Sequence, residues 1–257
     1  MTILVGVKCS DGLVIGSDSI GTSAMGPMPL LQSESNSKIR LFGDKIIVAC
    51  TGAAGLSQRL YAHVEGALNG NAFTGNKVHE STTNVTRRFL EDCHKSFVPR
   101  QGSQGLGFGA LMGAYIAGEP RLVEYATTDF QPELKEDRNF YVSMGSGQQL
   151  ADPFLAFISR VLWHDKPPSI EDGKLGVYWA LDHTCRLAPG GVGGAIKLAV
   201  LSQGSGSWKA ELLEQVGEQA QYVSELEAHI AKFSRTTVEE AESSVPPIPE
   251  PAPEPNA

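Results

Sequence analysis

Residues 1–19 read MTILVGVKCSDGLVIGSDS, and the architecture of the chain turns on how they fold. Two apolar runs, 3–8 and 13–18, are separated by CSDG. Asp11-Gly12 is a strong hairpin signal, because Asp and Gly accept the positive φ that a tight two-residue turn needs. A core strand therefore starts directly behind a hydroxyl-bearing residue, Thr2. The hairpin then folds the chain back, so that Asp18, at the end of the second run, returns beside the chain start.

Working outward, residues 19–37 are rich in Gly, Ser and Pro and read as a loop. KIRLFGDKIIVACTG, residues 38–52, is a second hairpin turning at Gly43-Asp44. Helical periodicity follows. Leu56, Leu60, Val64 and Leu68 recur at four-residue steps, as do Val85, Phe89, Cys93 and Phe97, with Ser81 and Thr82 as candidate caps. GFGALMGAYIAGEPRLVEYA, residues 107–126, is a third hairpin turning at Gly118-Glu119-Pro120, and RNFYVSMGSG, residues 138–147, adds a strand. A second helical pair is marked by Leu150, Phe154, Ile158 and Val161, then by Leu175, Tyr178, Leu181 and Cys185; GGAIKLAVLSQ, residues 193–203, is a further strand. Two rounds of hairpin, helix pair and strand predict an α+β fold, a four-layer α/β/β/α sandwich. Periodicity alone leaves a three-layer α+β fold open.

The expected organisation is a main domain over 1–203, a C-terminal amphipathic helix over 204–234 and a Pro/Glu-rich tail over 235–257. Between Leu212 and Phe233 the residues Leu212, Leu213, Val216, Ala220, Val223, Leu226, Ile230 and Phe233 form one narrow stripe at steps of three and four. The tail carries too few apolar residues to build a core and is expected to be disordered or extended.

Composition narrows the function. The net charge is −8, of which five glutamates lie in residues 239–257, and no basic stripe marks a nucleic-acid surface. No apolar run approaches the ~20 residues of a membrane span, and no signal peptide precedes the first strand. Cys9, Cys50, Cys93 and Cys185 are scattered without metal-ligand spacing and read as small apolar residues in a reducing compartment. The six histidines show no metal pattern either. The expectation is a cytoplasmic protein with no metal, no cofactor, no nucleic-acid partner and no membrane contact. GGVGG at 190–194 lacks the lysine of a phosphate loop and precedes a strand rather than a helix.

Thr2 is the candidate nucleophile. A threonine hydroxyl needs a base, and removal of Met1 would give Thr2 its own α-amine, with a reference pKa of about 7.7–8.0. One residue then supplies both nucleophile and base. Asp18 in GSDS, Lys38 in NSKI and Gly52 in CTGAAG follow in order. A terminal Thr, an Asp, a Lys and a strand-end Gly in this sequence resemble the proteasome β-subunit family, whose bacterial relative HslV belongs to the same N-terminal nucleophile hydrolases. The resemblance covers about residues 2–202 and includes GSG at 145–147, with about four extra residues between Asp18 and Lys38.

The resemblance implies that Thr2 Oγ attacks a peptide carbonyl, that Lys38, held by Asp18, lowers the hydroxyl's pKa, and that the Gly52 N–H stabilises the oxyanion. It implies that Ser146 hydrogen-bonds near the amine, and that Cys50, Ala54 and Gln58 face the pocket for the residue before the cut. Bland alternatives are a strand-end ion pair for Asp18 and Lys38, a helix-entry turn for Gly52, an N-cap for Ser146 and internal packing for the pocket residues. The family's β subunits also carry an Asp and a Ser ahead of a Gly-Gly pair. Aligned on Gly193-Gly194, those places hold Pro189 and Val192, a departure shared with HslV. The implied protein is a threonine endopeptidase subunit acting on proteins or peptides in homo-oligomeric stacked rings, with an ATPase or other regulator as a further partner. It is most similar to the bacterial proteasome homologues found beside HslV. Two other readings stay open: a catalytically silent scaffold, and an N-terminal nucleophile amidohydrolase for a small amide.

Overall fold

A computed structural model describes residues 2–25, 28–33, 37–73, 77–95, 107–188, 191–204, 206–213 and 215–243. The first hairpin is formed by β1 (Ile3–Cys9) and β2 (Gly12–Ser17), paired antiparallel from Leu4–Ser17 to Cys9–Gly12. Nearly every side chain of β1 is buried, because the strand faces two cores. Ile3, Val5 and Val7 point to the core under one helical layer, and Leu4 points between the sheets. Each such side chain contributes about 1.5–3 kcal/mol on burial, so the strand behind Thr2 is anchored rather than frayed.

The stretch predicted as a loop contains a separate two-stranded sheet, β3 (Gly21–Met25) and β4 (Met28–Ser33). Its register shifts between Ser23 and Ala24, and Ala24 stands opposite Pro29. A proline cannot donate to a ladder, so such a residue belongs on an edge or at a bulge. The hairpin leaves just after Asp18 and returns just before Lys38.

The remaining elements are β5 (Ile39–Phe42), β6 (Ile46–Thr51), α1 (Ala54–Asn69), α2 (Val78–Lys95), β7 (Gly109–Ile116), β8 (Glu119–Tyr125), β9 (Pro132–Leu134), β10 (Tyr141–Gly145), α3 (Gln148–Val161), α4 (Ile170–Leu187), β11 (Lys197–Gln203), β12 (Trp208–Leu212) and α5 (Gly217–Ser243). One five-stranded sheet runs β10-β1-β2-β11-β12, the other β5-β6-β7-β8-β9. Leu4, Leu13 and Ile15 of the first meet Ile47, Leu111 and Leu122 of the second. Helices α1 and α2 cover the outer face of the second sheet, and α3 and α4 cover that of the first. The four-layer α/β/β/α order is therefore the observed one, and the three-layer alternative is excluded.

Three expectations are corrected. Helix α2 begins at Val78, ahead of the candidate caps. Thr82 Oγ1 donates to the carbonyls of Val78 and His79, as side chains inside a helix do, and Ser81 Oγ donates to the Ala72 carbonyl in the segment before the helix. The boundary at 203/204 does not separate a domain, because β12 pairs with β11 from Ala199–Leu212 to Gln203–Trp208. The C-terminal helix starts at Gly217 rather than within the stripe at Leu212, and Val223 is buried against α4. There the Trp179 indole N–H donates to Glu227 Oε1 at 2.9 Å. The expected tail beyond residue 243 lies outside the described residues. No helix among the described residues is long and apolar enough to cross a membrane.

Candidate active site

The hairpin β1–β2 brings Thr2 and Asp18 together as its geometry requires. Asp18 N–H donates to the Ile3 carbonyl at 3.3 Å, and the Ile3 N–H donates back to Asp18 Oδ1 at 3.0 Å. The residue that follows Thr2 is thus pinned on the Asp18 carboxylate. Lys38 Nζ lies 2.6 Å from the same oxygen, and the Gly193 N–H donates to Asp18 Oδ2 at 3.2 Å. Asp18 is fully buried, and its carboxylate accepts on both oxygens. That satisfaction is what makes a buried charge tolerable.

Lys38 stands just before β5, its side chain 9% exposed. Burial pulls its ammonium below the ordinary lysine value, and Asp18 pulls the other way without cancelling that effect. Cys185, on α4, faces the pair; its thiol is pushed up to about 12, first by burial and then by the Asp18 and Asp182 carboxylates. A thiol in that state is protonated and unreactive at neutral pH.

Ser146 sits between β10 and α3. It does not cap α3, whose N-cap is Gly147 with no side-chain bond. Its Oγ accepts the Thr2 N–H at 3.1 Å and lies 3.4 Å from the Thr2 carbonyl, to which its hydroxyl donates. The Gly147 N–H adds a bond to the same carbonyl at 3.2 Å. Gly145 has φ +107, and a Cβ there would lie 2.3 Å from the Thr2 carbonyl oxygen, so only glycine lets β10 approach the chain start.

Gly52 follows β6 with φ +108, and a Cβ on it would meet the Gly107 carbonyl at 2.5 Å. Its neighbour Thr51 places Oγ1 3.2 Å from the position a Cβ on Gly145 would take. Thr2, Gly145, Thr51 and Gly52 therefore meet at one end of the two sheets, where α1 begins.

The three pocket candidates are arranged differently. Ala54 and Gln58 are exposed on the first turns of α1. Cys50 is buried under α1 in the core of the second helical layer, beside Tyr61 and Ser57. Burial pushes that thiol up to about 12. Of the two positions aligned with the family's Asp and Ser, Pro189 lies outside the described residues and Val192 is buried in the α3–α4 core. Sequence reading missed the Gly193 amide and the Tyr61 hydroxyl. Both act on or through backbone groups, and spacing carries no signal for that. Among the described residues no cluster of His, Cys, Asp and Glu could hold a metal.

The family model for the proteasome subunit matches residues 2–156, the segment that contains Thr2, Asp18, Lys38, Gly52 and Ser146. The chain belongs to the proteasome subunit family. No curated protein matches it by sequence. Three solved structures similar to this proteasome-family chain are described as Anbu. The Gly-1 mutant of Anbu from Hyphomicrobium sp. strain MC1 is 16% identical, with a TM-score of 0.68 over 93% of this chain and 100% of that one. The helical assembly of the Anbu complex from Pseudomonas aeruginosa gives 17%, 0.64, 97% and 99%. Anbu, the ancestral β-subunit, from Yersinia bercovieri gives 17%, 0.61, 97% and 100%. At these identities the likeness establishes the fold.

Proposed function

We propose that the chain is a threonine peptidase subunit whose nucleophile is Thr2 after removal of Met1. The observation that carries the reading is the chain of contacts Ser146–Thr2–Ile3–Asp18–Lys38, which fixes the start of the chain against a buried ion pair. In this reading Thr2 Oγ attacks the carbonyl carbon of the scissile peptide. Its proton passes to the α-amine, and then to the leaving amine as the C–N bond breaks. Water hydrolyses the resulting ester and returns Thr2. Lys38 supplies positive charge toward the hydroxyl, and its lowered pKa brings proton exchange nearer to neutrality. The Gly52 N–H is the proposed oxyanion donor, a role worth about 2.7–4 kcal/mol. Ser146 orients the amine.

Substrates are peptides or unfolded proteins, and the working form is a homo-oligomer in the cytoplasm. The relative from Pseudomonas aeruginosa is a helical assembly, which supports assembly of subunits here, as stacked rings or as a helix. An ATPase or other regulator is a further proposed partner. Val192, buried and apolar at the place of the family's Ser, favours a second reading, a catalytically silent scaffold.

Turnover of fluorogenic peptides with an apolar residue before the cut separates the two. The peptidase reading expects hydrolysis by Met1-free protein, abolished by one equivalent of a peptide epoxyketone. Met1-free, assembled protein with no turnover above buffer favours the scaffold.

A further inference from the structure

Lys38 is held at both ends. Its ammonium lies on Asp18, and its carbonyl accepts two bonds, from the Cys50 N–H at 3.1 Å and from the Tyr61 hydroxyl at 3.3 Å. The first extends the β5–β6 pairing one residue beyond Ile39–Ala49, as an antiparallel pair readily does. The second is a tertiary contact from α1. Tyr61 is itself held in place. Its ring lies 5.6 Å from that of Phe42, the Arg40 guanidinium stands 5.4 Å from its centroid, and its hydroxyl lies beside the Cys50 thiol. Burial raises the phenol's pKa, so it stays a donor at neutral and mildly alkaline pH.

We propose that Tyr61 is a positioning residue for Lys38: its hydroxyl ties the backbone of the ammonium-bearing residue to α1, the helix that starts just after Gly52. The functional side of the proposal rests on the peptidase reading, whereas the Tyr61–Lys38 link does not. Helix α1 then sets two things together, the site of the Gly52 N–H at its start and the place of the Lys38 charge about two turns further on. The exposed face of the same helix carries Ala54 and Gln58. A shift of about 1 Å in a catalytic group costs on the order of 10²-fold in rate, so a tie of this kind matters more to chemistry than to folding.

Tyr61→Phe keeps the ring and its packing and removes only the hydroxyl. Two readouts on the full-length protein test the proposal. The first is the titration midpoint of Lys38, followed by NMR with lysine labelled at Cε. Among the described residues, Asp18 from the end of β2 and Cys185 from α4 are charged or titratable groups facing Lys38, and the variant alters neither. A loosened Lys38 meets more water, so its midpoint should move up toward the ordinary lysine value. The second is the rate of epoxyketone capture, expected to fall about tenfold at saturation, with the half-saturating concentration changed by less than about twofold. An unmoved Lys38 midpoint overturns the proposal whatever the capture rate. A wild type that is never captured, with the midpoint still moved in Tyr61→Phe, sinks the peptidase reading and keeps the link. Slower capture together with the moved midpoint supports both.

Discussion

Asp18→Asn should lower the stability of the protein by about 3–5 kcal/mol, because it leaves Lys38 buried without its counter-charge. The carboxylate accepts from the Ile3 N–H and from Lys38 on Oδ1, and from the Gly193 N–H on Oδ2. An asparagine can present one carbonyl oxygen and must turn its NH₂ group toward one of those donors. Asp18 is fully buried, so water cannot restore the lost bond. Thermal denaturation should show a fall in melting temperature of about 10 °C or more for a chain of this size. A fall of less than about 3 °C would mean that the pair is solvated and that Asp18 is not the keystone of this corner. The double variant Asp18→Asn/Lys38→Met is the control. It removes both charges and should recover part of the loss, as replacing a buried pair by apolar groups commonly does.

Thr2→Ala should leave the fold intact and remove the chemistry. Three of the bonds that seat residue 2 run through its backbone, from its N–H to Ser146 Oγ and to its carbonyl from the Ser146 hydroxyl and the Gly147 N–H, and alanine keeps all three. Alanine is also small enough to preserve removal of Met1. The melting temperature should therefore change by only a few degrees, whereas peptide turnover should fall to background. Loss of a nucleophile costs on the order of 10⁶ in kcat where the chemistry limits the rate. Turnover equal in Thr2→Ala and wild type would assign any activity to another residue or to a contaminant.

The fold was legible where hydrophobic period and turn chemistry agreed. Asp11-Gly12 located the first hairpin to within one residue: the turn is Ser10-Asp11, and Gly12 opens β2 without a positive φ, while the hairpin's length alone placed Asp18 beside the chain start. The β3–β4 hairpin was hidden by the Gly, Ser and Pro of residues 19–37, because a bulged strand containing Pro29 lacks the alternation of a regular one. Trp208–Leu212 was hidden for the opposite reason: Leu212, Leu213 and Val216 fit a helical stripe equally well, and only pairing with β11 makes 208–212 a strand. At the site, the chemistry of a terminal hydroxyl and the hairpin pointed to Thr2 and Asp18, and the family resemblance added Lys38 and Ser146; the structure gathers the four in one place. The support around them was not legible. Gly193 acts through its amide, Tyr61 acts on a carbonyl, and Cys50 points under α1 because strand alternation sends 46, 48 and 50 to the helical side.

The most direct test of the central claim is the intact mass of the purified protein before and after a peptide epoxyketone, which needs a free amine and a hydroxyl on one residue. The account predicts a chain lacking one Met that gains one adduct per subunit, with no gain in Thr2→Ala. A chain that lacks Met1 and gains no adduct, or one that gains the adduct equally in Thr2→Ala, would contradict it.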